Sequence, residues 1–207
     1  MTVFQVVGRC VADPPPADWL AQLTARLKAK PRRIGVWAEL GLYGALECLA
    51  NAGEVSLPMG ASVILSSQHG PVTAYCNAME QAVDDLPMPV TVLQTQPSQL
   101  LATLAANLGW VGDARFIAHN DPDGLLKLAA AQCNPDGVLL GWVEETGAGR
   151  SVWLRLIPCA ESAGSLVGVG SIKNYLRTVA YLRVSSTEVS VLLGAPCQPV
   201  AVDIGVF

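Results

Sequence analysis

Charge is scarce in this chain. Lys and Arg number 13 and Asp and Glu 17 among 207 residues, so charged side chains make up 14% against 51% hydrophobic, where an ordinary soluble domain carries roughly 25% charged. So little charge leaves much apolar surface to cover, and a partner chain over part of that surface is one expectation. A compositional bias toward Ala and Val is the other. The net charge of -4 and the pI near 5.1 leave no electrostatic footprint for nucleic acid. The densest basic stretch, Arg26 to Arg33, reads as cations at a helix C-terminus and a solvated face.

Long apolar runs are missing as well. None reaches the roughly 18 to 20 residues needed to span a bilayer, and Met1 to Cys10 lacks a basic start, an apolar core and a cleavage site. A cytoplasmic protein without a membrane span is therefore expected. The six cysteines are far apart with no C-x-x-C, and only His69 and His119 could supply imidazoles, which argues against zinc. Most of the cysteines should be reduced core residues. The glycines at 164, 168 and 170 do not follow a strand into a helix, so they do not form a phosphate-binding loop. No cofactor is expected.

What is present is an alternation of helical patterns and short apolar runs. Thr2 to Val7 reads as a strand and Arg9 to Asp18, with Pro14-Pro15-Pro16, as a stiff extended connection. Helices are predicted over Trp19 to Leu27 and Ile34 to Ala52, the second stopped by Gly53. Ala61 to Leu65 is a buried-strand run leading into Ser66-Ser67-Gln68-His69-Gly70-Pro71. Such a polar turn at a strand's C-terminal end is where ligands gather in open α/β sheets. Val72 to Leu86 reads as a helix, Thr91 to Thr95 as extended, and Gln99 to Leu108 as a strongly apolar helix stopped by Gly109. Val152 to Ile157 follows the glycine-rich Thr146 to Arg150, which predicts a hairpin with the strand before it. Ser162 to Ser171 reads as a loop, Tyr175 to Val184 and Glu188 to Leu193 as strands or a short helix plus strand, and Pro196 to Phe207 as an edge strand or tail. The sum is a single α/β domain spanning 1–207, a mixed sheet with helices on its faces.

The stretch from Gly112 to Glu145 organises the rest. Arg115 to Ala118 is a short strand, and Asn120, Asp121 and Pro122 supply a helix cap followed by proline at the first helical position. From Leu125 to Cys133 only Lys127 is charged, which predicts a helix buried on nearly every side. Asn134-Pro135-Asp136-Gly137 is a turn, and Val138 to Val143 a buried strand. A strand that turns sharply into a buried helix is a common seat for a nucleophile, because the helix N–H groups there stabilise an anion. At that turn the chain reads Ala118-His119-Asn120-Asp121, with neither Cys nor Ser.

The order of these landmarks resembles the N-terminal half of the β-ketoacyl synthases, of the thiolase-like fold. It is carried by the helical segment after Arg32-Arg33, Ser66-x-x-His69-Gly70, Thr95-x-Pro97 before an apolar helix, Asn107-x-Gly109 and Gly112, and the strand, helix and Leu140-Gly141 strand that follow. It covers Arg32 to Leu156 and is similar above all to the short chain-length-factor subunits of aryl polyene and xanthomonadin-type pigment synthesis. The resemblance implies a polyketide or fatty-acid-type pathway, a catalytic ketosynthase as partner or a homodimer, and an acyl carrier protein. Active members of the family carry the acyl-accepting cysteine at the turn that here reads Ala118 to Asp121, and take two further catalytic residues from a C-terminal half. The expectation is thus a subunit without catalytic residues of its own, with His69, His119 and Asn120 as candidate contacts to the acyl substrate. Trp142 and the helix Gln99 to Leu108 are candidates for interface packing or for the core. Against this stands an acyl-transferring or thioester-hydrolysing enzyme using Cys159, Ser66 or Ser67 as nucleophile. Cys133 is expected in the core, and Asp121 and Asp123 as helix caps rather than an acid/base pair.

Overall fold

The computed structural model describes residues 2–27, 32–86, 88–119, 121–132, 134–159, 165–169, 172–174, 176–185 and 188–193. In chain order the elements are β1 (Thr2–Ala12), α1 (Trp19–Arg26), α2 (Val36–Asn51), β2 (Ser62–Ser67), α3 (Val72–Val83), α4 (Pro89–Gln94), α5 (Ser98–Leu108), β3 (Asp113–Ala118), α6 (Pro122–Ala131), β4 (Val138–Glu144), β5 (Arg150–Cys159) and β6 (Ser165–Val169). A 3-10 turn at Ile172–Asn174, β7 (Tyr181–Val184) and β8 (Val189–Leu193) complete them.

Among the described residues the strands form one eight-stranded mixed sheet in the order β3-β2-β4-β5-β1-β7-β8-β6. Strand β2 lies parallel to both β3 and β4, and β5 runs antiparallel to its neighbours β4 and β1. Strands β1 to β4 therefore point one way, and their C-terminal ends share one edge of the sheet. The hairpin predicted from Thr146 to Arg150 is present, with Glu144 opposite Arg150 and Val138 opposite Leu156. Helices cover both faces, which is why β4 reads as an unbroken apolar run. Its residues divide by the period of two. Leu139 and Val143 join Trp37, Leu42, Leu104 and Trp153 on the face carrying α1, α2 and α5, while Val138, Leu140 and Trp142 join Phe4, Leu125, Leu154 and Leu182 on the face carrying α6. Backbone and helix come closest at Gly8. A Cβ there would stand 2.5 Å from the Cys48 carbonyl oxygen and 2.6 Å from the Ala52 Cβ, beside a bulge between Val6 and Gly8.

Several expectations are corrected. Strand β1 continues to Ala12 rather than giving way at Arg9, because Arg9 to Ala12 pair with Leu154 to Ser151 of β5. The Arg9 guanidinium is satisfied by the carbonyl oxygens of Arg177 and Val179. Thr91 to Thr95 belong to α4 and its cap rather than to an extended segment. Pro89 opens that helix with a φ already suited to it. Helix α6 buries one face only. Pro122, Leu125, Leu126 and Ala129 are inside, and Ala131 is exposed, since the sheet covers it from a single side. Ser165 to Val169 is a strand, not a loop; its pairing with β8 shifts register between Leu166 and Gly168, where glycine suits a bulge. Of the described cysteines only Cys48 lies in the core, Cys10 and Cys159 are half-buried, and Cys76 is exposed; none is in a disulfide. Cys133, Cys197 and the segment Pro196 to Phe207 lie outside the described residues. No helix among the described residues is long and apolar enough to cross a membrane.

Candidate functional site

The C-terminal ends of β2, β3 and β4 bring together the two turns that the sequence singled out. Ser67 is the in-register neighbour of Ala118, so the chain leaves β2 toward His69 beside the place where it leaves β3 toward His119. Short hydrogen bonds hold this edge. The His119 N–H donates to the Ser67 carbonyl at 3.2 Å, and the Ser66 hydroxyl shares its one proton between the carbonyls of His119 (2.8 Å) and Ile117 (2.9 Å). The Ser67 hydroxyl accepts from the Gly70 N–H at 2.8 Å. Both serines are buried, and each hydroxyl is engaged with backbone groups, that of Ser66 as donor and that of Ser67 as acceptor.

His119 is exposed, and its ring lies over the first turn of α6: a Cβ placed on Gly124 would be 3.0 Å from its Nε2. That turn is already occupied from within. The Asp121 carboxylate accepts from the N–H groups of Asp123 and Gly124, each at 3.1 Å. These are the first free donors of the helix, the groups that would otherwise face an anion. Asp123 in turn accepts from the Ile172 N–H at 3.0 Å. Asp121 therefore caps the helix, as expected, while Asp123 tethers the Ile172 turn instead of capping α6. Asn120 lies outside the described residues.

His69 is exposed and stands against Glu144, with Nδ1 3.4 Å from Oε2. Glu144 also accepts from the backbone N–H groups of Gln68 and His69, and Glu145 accepts from the Thr73 N–H at 2.5 Å. Two carboxylates at the end of β4 thus clamp the 68–73 turn and the start of α3. Sequence reasoning missed them. The available signal was a Glu-Glu pair closing an apolar strand at the edge where α/β sheets bind ligands. Next to this clamp lies a cleft of about 180 Å³ whose lining includes Gly35, Trp37, Thr73, Asn77, Gln94 and Glu145. It opens beside the 68–73 turn, with Trp37 at its base donating its indole N–H to the Val143 carbonyl.

The alternative nucleophile is elsewhere. Ser66 aligns through Trp142 with Val152 of β5, and Cys159 lies seven residues further along that strand, about 23 Å away at roughly 3.3 Å per residue. Of the two roles open to Trp142 and the helix Gln99 to Leu108, interface packing or core, both take the core. Leu100, Leu104 and Leu108 of α5 are spent in the chain's own core. Trp142 is buried against α6 and β5, and among the described residues its indole N–H finds no acceptor.

No family model matches the sequence, and no curated protein matches it either. Solved structures do. The chain is similar in fold to "The ishigamide ketosynthase/chain length factor", with a TM-score of 0.61 at 11% identity, over 82% of this chain and 63% of that one. A type II PKS acyl-carrier protein in complex with its ketosynthase bound to the hexaketide gives 0.55 at 11% identity, over 76% and 63%. The ketosynthase ApeO in complex with its chain length factor ApeC from Xenorhabdus doucetiae gives 0.52 at 14%, over 81% and 82%. The chain spans 63% of the length of each of the first two. At these identities the likeness establishes the fold alone, the thiolase-like α/β fold that these structures share.

Proposed function

We propose that this chain is a non-catalytic, chain-length-factor-like subunit that associates in the cytoplasm with a catalytic ketosynthase and shapes the acyl pocket of the pair. Decarboxylative condensation needs a thiolate to hold the acyl chain and N–H donors free to stabilise the oxyanion. The observation that carries the reading is the state of the α6 N-terminus: Asp121 fills the donors of Asp123 and Gly124 with its own carboxylate. In place of a nucleophile, the described residues of that turn are Ala118, His119 and Asp121. An anion already sits where an oxyanion would have to form. A thiolase-like scaffold whose turn carries neither Cys nor Ser supports a partner that brings the cysteine.

The solved structures support the partner classes by analogy, since two of them are described as ketosynthase with chain length factor and one as a ketosynthase with its acyl-carrier protein. On this reading the product is a polyketide or fatty-acid-type chain, of the aryl polyene or xanthomonadin-like pigment class. His69, His119 and Asn120 are the proposed contacts to the acyl substrate, and the exposure of His69 and His119 at the edge shared by β2 and β3 supports this for those two.

Co-expression with the cognate ketosynthase and native mass spectrometry tests the assembly. A stable one-to-one complex is expected, and separate monomers at micromolar concentration would overturn the reading. Incubation of the isolated chain with an acyl thioester, followed by intact-mass measurement, tests the chemistry. No adduct is expected; an adduct abolished by Cys159→Ala or Ser67→Ala would replace this reading with an acyl-transferring enzyme.

A further inference from the structure

Seven of the twelve large apolar side chains exposed among the described residues lie between Tyr75 and Leu93. On α3 they fall at a spacing of four, Tyr75, Met79 and Val83, the last 81% exposed; such spacing places them on one face of the helix. Helix α3 buries Ala74 alone. The apolar surface continues through Leu86 onto α4, which packs against α3 and exposes Val92 and Leu93 by about half. A shallow depression between Met79 and Val83 is edged by Glu80 and Asp84, and Asp85 follows. Between Arg33 and Arg115 the sequence contains no Lys or Arg at all. The face is therefore apolar at its centre and acidic at its rim, with no cation from its own stretch of chain to balance it.

The charge pattern selects the occupant. Two copies meeting through this face would set carboxylate against carboxylate, and an anionic lipid surface would be repelled in the same way. A protein surface with an apolar centre and Lys or Arg at its edge is complementary in both respects. We infer that the α3–α4 face is the docking surface for the ketosynthase subunit, which meets Met79 and Val83 with apolar side chains and Glu80, Asp84 and Asp85 with basic ones. This rests on the subunit reading above and adds to it which surface is covered and by what chemistry.

The test uses the co-expressed pair. Met79→Glu combined with Val83→Glu, and separately Glu80→Lys with Asp84→Lys and Asp85→Lys, are compared with the unaltered chain by binding titration against the ketosynthase at low and high salt. All five positions are exposed, so the fold is expected to hold, and circular dichroism checks it. Each variant should bind at least about tenfold more weakly at low salt. The unaltered complex should weaken as salt rises, and the lysine variant should lose that dependence. Hydrogen exchange over 72–94 should slow in the complex. If the unaltered chain forms the complex while both variants bind as well and exchange over 72–94 is unchanged, the docking inference alone is overturned. If the unaltered chain forms no complex, the subunit reading falls and this inference with it.

Discussion

Arg155 and Glu54 form a two-point ion pair across the chain, with Nε to Oε2 at 2.8 Å and Nη2 to Oε1 at 3.1 Å. The guanidinium is fully buried in the middle of β5, and the carboxylate is 22% exposed just past the end of α2. A third donor, Nη1, reaches the Leu156 carbonyl at 3.2 Å. A charge taken out of water this completely is tolerable only when paired and hydrogen-bonded. Glu54→Ala leaves the charge stranded and should cost about 3 kcal/mol of unfolding free energy. Arg155→Met, which removes the charge and keeps the volume, should cost clearly less. Urea denaturation of both variants decides it, and equal losses would contradict the argument.

The Asp121 cap makes a smaller but sharper prediction. Asp121→Ala removes the acceptor for two N–H groups and should destabilise the protein by about 1 kcal/mol, with Asp121→Asn retaining most of the cap. Neither variant should acquire an acyl adduct, because freeing the donors supplies no nucleophile. Denaturant midpoints and intact mass together check both statements.

Three groups around α2 make the fold sensitive to alkali. Burial, reinforced by Glu47, raises the Cys10 thiol from an ordinary 9.0 to about 11. Burial, reinforced by Cys10, raises Cys48, and burial with Cys10, Glu47 and Asp18 raises the Tyr43 phenol, partly countered by Arg26. Between 9 and about 11 the unfolded thiol of Cys10 has lost its proton while the folded one keeps it. The unfolded state then binds fewer protons, so stability present below pH 9 declines as pH rises through this window. Melting temperature should fall across it and fall less steeply in Cys10→Ala. At neutral pH a thiol reagent should modify the exposed Cys76 before Cys10 or Cys48.

Gly8→Ala should destabilise by roughly 1 to 3 kcal/mol, because the new methyl would meet backbone rather than a flexible side chain. Gly53→Ala gives a different contrast. No neighbour stands within 4 Å of the added methyl, and any cost comes from its φ of 73° alone. Thermal melts of the two variants separate steric crowding from backbone strain.

How much could be read in advance depended on the range of the cause. Local causes were legible. The Asp121 cap, the proline opening α6, the glycine stop after α5 at φ 61° and the β4–β5 hairpin are set by residues within a few positions of one another. Arg9 to Ala12 were misread because their strand identity comes from β5, more than a hundred residues away. Thr91 to Thr95 were misread because their β-branched side chains argue for extension, while packing on α3 and a proline start favour a helix. At the candidate site, His69 and His119 were visible as turn residues, whereas the carboxylates of Glu144 and Glu145 that clamp the 68–73 turn were not.

By itself the sequence determined the alternation of elements, the apolar strand at the centre and the want of a thiol or hydroxyl at the β3–α6 turn, since each follows from residue type and near-neighbour spacing. Tertiary structure alone decided that three strand ends meet at one edge, that Glu144 and Glu145 clamp the 68–73 turn, and that α3 and α4 turn an apolar, acid-rimmed face outward. The reason is that burial and charge balance are sums over neighbours in space, and most of those neighbours are distant in the chain.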